Sequence, residues 1–452
     1  MIQSNYTNQI FLIIVFFLSV ACGSEKSESI KSKDSTKRAT IENVEAGIRA
    51  NIAAKTKAGN GYFNFENDSV ELSLKLVRVH TEYLSVLGAN KFFACVDLAT
   101  ESGDVYDVDF FMNGTADNME VTSTDVHKLN GKPFYTWKQA NDKTWFTVPV
   151  KNASNELLGV IEGTDAFTFT YELTLPTIDG SSEMWIPIAQ SDAFQDIEIT
   201  NIDTKISYEI TKDDTYGNQI MYAKPSADNS NQKISITYDV IRKEKSAYTE
   251  QNTDTMLYLG ATAFLPVNNR FYTIATTAIE ERQANTTLMK ARALYDYIID
   301  NMRYAKEGKY GTGDANYACD SKSGNCTEFH SFFISLSRSV GIPARFAVGA
   351  AIPSERNEGG VNGYHCWAEF YAEGKWWPID ISEGNKYTPL ATYYFGHHPA
   401  NRIEFSRGRD IKPLPLPFTG PINFLAYPVL EVRGNITPVK TNFLFERKLI
   451  EI

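Results

Sequence analysis

Residues 364–381, YHCWAEFYAEGKWWPIDI, leave the chain little freedom. Two strand-like runs flank a Glu-Gly pair, the signature of a tight hairpin with a two-residue loop at Glu373-Gly374. That loop sets Asp380 opposite Trp367. Side chains alternate across a strand, so His365 and Trp367 share a face. Asp380 then lies one diagonal step from His365, about 7–8 Å backbone to backbone, which side chains can close. The same alternation sends Cys366 to the opposite face, away from this pair.

A second constraint lies upstream, in GNCTEFHSFFISLSRSVGIP, residues 324–343. Phe329, Phe332, Phe333, Leu336 and Val340 repeat at helical spacing. Gly341-Ile342-Pro343 supplies the stop. Cys326 is therefore the first residue, or nearly the first, of a buried amphipathic helix, and Gly324 lets the backbone turn into it. A thiol has an ordinary pKa near ~8.5, and the unpaired amides and dipole of a helix start favour its thiolate. Of six histidines, His365 is best placed to act as its base. His330, four residues after Cys326, shares its helix face and is expected in a supporting role, as are Asn325 and Trp367. His397-His398 before a proline is too weak a pattern for a metal site. Cys95, in KFFACVDL, reads as core. For Cys319 a place in the site loop, a disulfide and simple burial all stay open.

The whole chain has 452 residues, enough for several domains, with 43% hydrophobic and 22% charged residues. The net charge of −11 comes without a basic stripe, which argues against a nucleic-acid partner. Near the start, IFLIIVFFL (10–18) is too short to span a bilayer, which takes ~20 apolar residues, and has the length of a signal-peptide core. Ser-Val-Ala-Cys follows, and this resembles a bacterial lipoprotein signal. On that resemblance residues 1–21 are removed, Cys22 is lipidated, and the protein is exported and anchored to the cell envelope through its lipid. The alternative is an ordinary cleaved signal in which Cys22 has no role. Residues 22–39, rich in Ser and charge, read as a flexible tether.

Residues 40–157 read as a short helix (40–57) followed by strands and turns, a β-rich domain whose role the sequence does not reveal. Short alternating strands across 158–250 suggest a β-sandwich. In the last segment, 251–452, residues 255–284 read as irregular. A helix over 285–304 follows, capped by Asn285 or Thr286. The glycine-rich stretch 305–325 reads as a long loop leading into Cys326.

The ordered set of GNCTEFHSFFISLSRSVGIPARF, GYHCWAEFY and WWPIDIS resembles the transglutaminase-like branch of the papain-type thiol enzymes. The resemblance covers roughly 255–433, with a weaker echo over 163–245. It implies a multidomain protein in which β-rich N-terminal domains, one sandwich-like, precede an α+β transglutaminase-like domain. It implies Cys326 as nucleophile, His365 as general base and acid, and Asp380 as the group that holds the imidazole. The reaction would be acyl transfer at an amide of a protein or peptide, resolved by water or by a second amine. The oxyanion would rest on the Cys326 amide and one further donor. Nothing in these motifs calls for a cofactor or a metal. The rival reading is a non-enzymatic cell-surface scaffold that retains the domain for binding.

Overall fold

The computed structural model describes residues 39–448, apart from 68–69, 82–83, 89, 140–144, 150–158, 252–253, 355 and 386–387. The expected signal segment, Cys22 and nearly all of the tether lie outside the described residues.

The first helix, α1 (Ile41–Ala58), starts at Thr40, whose side chain and backbone exchange hydrogen bonds with Asn43. This reciprocal cap satisfies two amides the helix itself leaves unpaired. Val44, Ile48 and Ile52 form its buried stripe. They pack on an antiparallel sheet whose main path runs 63–67, 70–79, 91–99, 105–115, 118–129, 132–133. Leu74, Val96, Leu98, Val108 and Phe110 line the face under the helix. The opposite face carries acids. Asp97 there pairs with Arg292 at 2.9 Å, and Arg78 with Asp296 at 3.0 Å.

Two five-stranded antiparallel sheets form a sandwich. One runs 195–203, 233–243, 164–174, 440–447, 358–361; the other runs 208–212, 219–223, 182–188, 429–432, 435–437. Phe167, Phe169, Tyr171, Ile186, Tyr238 and Phe443 are among the side chains between them. Strands from 358–361 and 429–447 thus complete sheets begun within 158–250. The chain crosses the boundary expected at residue 250, because the sandwich core needs apolar strands from both ends.

The helical layer holds α2 (Asn269–Glu281), α3 (Thr287–Asn301), α4 (Ala315–Ser321) and α5 (Cys326–Ser339). It packs on a four-stranded antiparallel sheet ordered 375–379, 365–372, 344–351, 402–407. Two helices correct the sequence reading. α2 lies in the stretch expected to be irregular; Asn268 caps it, and two of its three buried residues, Ala275 and Ala278, are too small to mark a period. α4 interrupts the expected loop, capped by Asp314. Thr286 is the cap of α3. Among the described residues no helix is long and apolar enough to cross a membrane.

Candidate active site

Asn325 starts α5. Its side chain accepts from the Thr327 amide at 2.8 Å, and the Glu328 carboxylate accepts from the Asn325 amide at 3.0 Å. A Cβ on Gly324 would sit 2.4 Å from the Cβ of Glu328, so only glycine lets the chain enter here. Glu328 also accepts from the Gly311 amide at 2.9 Å and the Gly313 amide at 2.8 Å. Arg409 closes the other side of this glycine loop, donating to Ser331 Oγ at 2.7 Å and to the Gly313 carbonyl at 3.0 Å. The Cys326 amide, first in the helix, has no intrahelical partner.

The hairpin has the register read from the sequence. Phe370 pairs with Trp377 and Ala368 with Ile379, which brings Asp380 level with Trp367. Asp380 leaves the strand and caps the short helix α6 (Ile381–Gly384). Its Oδ1 accepts from the Glu383 amide at 3.1 Å and from Ser382 Oγ at 2.9 Å. Its Oδ2 lies 2.5 Å from His365 Nε2. That leaves the other ring nitrogen of His365 for the Cys326 thiol, whose thiolate form the imidazole favours. Cys326, His365 and Asp380 are therefore brought together, with the thiol only 2% exposed. Trp367 is buried behind the imidazole, ring centroids 6.3 Å apart, and its own ring lies against His398 at 4.2 Å.

Cys366 departs from expectation. The helix α5 packs on the sheet face that carries Cys366, Ala368 and Phe370. The thiol of Cys366 is therefore at the site, 3.8 Å from His330 Nδ1, and helps to lower the pKa of Cys326. Alternation assigned the faces correctly along the strand. His365, however, is the strand's first residue, where no pleat continues and its ring reaches the helix start. Cys95 is buried, as expected, on the acidic side of its sheet, with Sγ 3.3 Å from Asp109 Oδ1. Cys319 is a free, buried thiol on α4 and is not bonded to Cys326.

His330 is fixed at both nitrogens. Nε2 accepts from the Ile381 amide at 3.0 Å, so Nδ1 carries the proton and donates to the Cys326 carbonyl at 2.7 Å. Burial pushes its pKa down to about 4, which keeps it neutral. It is a brace rather than a base. Glu328, Arg409 and Cys366 are the site residues that sequence reasoning missed. Of these, Glu328 carried a signal: an acid three residues after Asn325 is a capping box.

The electrostatics favour an ion pair. The hydrogen bond from Cys366 lowers the Cys326 thiol most; burial opposes it, His365 adds to it, and the thiol falls to about 6. Burial would lower His365, but the Asp380 carboxylate and the neighbouring thiolate outweigh it and raise the imidazole to about 10. Between these values thiolate and imidazolium coexist. Asp380, although buried, is held well below the usual carboxylate range by His365.

Comparison with known proteins finds one family and several distant relatives. Residues 275–381 match the transglutaminase-like superfamily, so this region is transglutaminase-like. A protein of Haemophilus influenzae of uncharacterised function is 24% identical over 319 residues, covering 60% of this chain and 86% of its own. Among solved structures, a proposed cysteine protease from Cytophaga hutchinsonii is 14% identical. It covers 64% of this chain and 99% of its own with a TM-score of 0.42. The periplasmic domain of TgpA from Pseudomonas aeruginosa is 13% identical and covers 52% and 91%, with a TM-score of 0.28.

Proposed function

We propose that the protein is a thiol-dependent acyltransferase acting at amide bonds of proteins or peptides. The Cys326 thiolate attacks the amide carbonyl, and the oxyanion rests on the Cys326 amide. The imidazolium of His365 passes its proton to the departing amine or ammonia, leaving a thioester on Cys326. Neutral His365 then takes a proton from water or from a second amine, which attacks the thioester and expels the thiolate. Asp380 holds the ring throughout. Water is the favoured acceptor, making hydrolysis the main outcome and crosslinking the lesser one. A groove of about 440 Å³ lined by Gly360, Gly363, Tyr427 and Phe443 lies beside the turn into His365 and offers room for an extended segment.

The observation that carries this reading is the 2.5 Å contact of His365 with Asp380, on an imidazole whose other edge meets a helix-start thiol. A scaffold kept for binding alone has no use for a buried thiolate–imidazolium pair. The test is the rate of iodoacetamide alkylation at Cys326 against pH, read by mass spectrometry, with His365→Ala alongside. Rapid labelling well below the ordinary thiol range of ~8.5, slowed by the histidine change, supports the enzyme. Labelling that tracks an ordinary thiol in both proteins favours the scaffold.

The proposal extends to location: export, and lipidation of Cys22, which tethers the catalytic body to the envelope through residues 22–39. Metabolic labelling with an alkyne fatty acid should mark the wild type and not Cys22→Ala. Equal labelling of both would remove the anchor from this reading.

A further inference from the structure

The acidic face of the N-terminal sheet holds four donors of mixed chemistry. Cys95, Asp107, Asp109 and His127 each place one ligand atom within 4.8 Å of the others. Three neighbouring strands supply them. Cys95 pairs directly with Asp109, and Asp107 lies two residues away on the same face. His127 should belong to the other face. The strand 118–129 bulges there, however: Lys128 stays opposite Asp107, while Val126 takes the place opposite Val108. The bulge keeps valine in the core under α1 and turns His127 onto the acids.

The imidazole is aimed as a ligand. Its Nε2 lies 3.1 Å from the Tyr135 carbonyl oxygen, which can only accept, so Nε2 carries a proton. Its Nδ1 faces Asp109 Oδ1 at 3.4 Å and makes no hydrogen bond. A lone pair does not rest stably against a carboxylate; a proton or a metal ion must stand between them. Asp107 supplies the second sign. It is 4% exposed, and its Oδ1 has no hydrogen-bond partner. Lys128 holds only the other oxygen, at 2.8 Å. Tyr135 donates to Asp109 Oδ2 at 2.6 Å, which orients that carboxylate as outer partners of metal ligands do.

The geometry points to a structural site for one divalent ion of the zinc class, held by Cys95 Sγ, His127 Nδ1 and the Asp107 and Asp109 carboxylates. One sulfur, one imidazole and two carboxylates suit a four-coordinate borderline-soft ion. With bond lengths of about 2.0–2.3 Å the donors would draw in to roughly 3.3–3.8 Å of one another, about 1 Å closer than the widest separation now. The ion would replace the thiol proton of Cys95, which is released to solvent. With four protein ligands it leaves no open position and would pin three strands rather than catalyse.

The test uses the full mature chain carrying Cys326→Ala, so that the reactive thiol contributes nothing. It is stripped with a chelator and titrated with Co²⁺. The expected result is one equivalent bound, with a thiolate-to-cobalt charge-transfer band and the strong visible bands of a tetrahedral ion. Cys95→Ser should abolish the charge-transfer band, and His127→Ala should weaken binding at least about 10-fold. Cadmium NMR of the same parent chain reads sulfur ligation directly and needs no variant at Cys95. Failure to bind one equivalent, or a spectrum unchanged by both substitutions, overturns the site and leaves His127 as a packing partner of Asp109 and Tyr135.

Discussion

His330 donates from Nδ1 to the carbonyl oxygen of Cys326 across 2.7 Å. Its other nitrogen receives the amide of Ile381, the residue after Asp380. One neutral ring thus ties the helix start that carries the thiol to the strand end that carries the acid.

His330→Ala should therefore act at a distance from the reacting atoms. It orphans the buried Ile381 amide, at about 1–3 kcal/mol of stability, and strips the Cys326 carbonyl of its second donor, leaving only the helical one. It also frees the two chain segments to drift, and a shift of 1 Å in such a site lowers kcat by about 10²-fold. KM should change little. His330→Gln, which can still donate and accept, should recover part of kcat. A loss confined to melting temperature, with kcat intact well below it, would make the ring mere core.

The pH dependence follows from the ion pair. Below about 6 the Cys326 thiolate takes up a proton and nucleophilicity is lost. Above about 10 the His365 imidazolium gives up the proton it must pass to the leaving group. The rate should describe a broad bell between these limits. Asp380→Asn removes the charge that raises His365, so the alkaline limb should move toward neutrality while kcat drops. An unmoved alkaline limb would show that another group sets it.

How much of this site was legible depends on whether local rules or packing decided each feature. The Glu373-Gly374 loop fixes the register to Asp380, and Asn325 with Glu328 fixes the start of α5; both are short-range and readable. Cys366 was misplaced because the face of a sheet that a helix covers is decided by tertiary packing, and His365 lies at the strand end, where alternation no longer governs reach. α2 escaped notice because its buried stripe is mostly alanine. The sandwich strands 429–432 and 440–447 are recognisable as strands, but nothing local says they return to sheets begun 200 or more residues earlier.

Cys366 supplies a sharper test of the thiol. Burial pushes its own pKa well up, so it stays protonated and can donate to Cys326. Cys366→Val keeps similar volume and removes the donor. The Cys326 pKa should rise from about 6, and each unit of rise lowers the thiolate fraction on the acid side about tenfold. Alkylation at acidic pH should slow accordingly, while alkaline labelling stays as it was. An unchanged profile would assign the low pKa to His365 alone.

Glu328 bears on the loop over the site. Its carboxylate accepts the amides of Gly311, Gly313 and Asn325, three donors that meet on one pair of oxygens. Gly313 has a left-handed φ of 64°, and a Cβ there would meet Ser331 Oγ at 2.8 Å and Arg409 at 2.9 Å, so the loop has no alternative seat. Glu328→Gln preserves shape but turns one acceptor into a donor facing amides. Stability should fall by about 1.5–3 kcal/mol, with limited proteolysis appearing first between 305 and 314. Because the same carboxylate caps the helix of Cys326, kcat should fall as well. Equal protease resistance in wild type and variant would mean that Arg409 holds the loop without it.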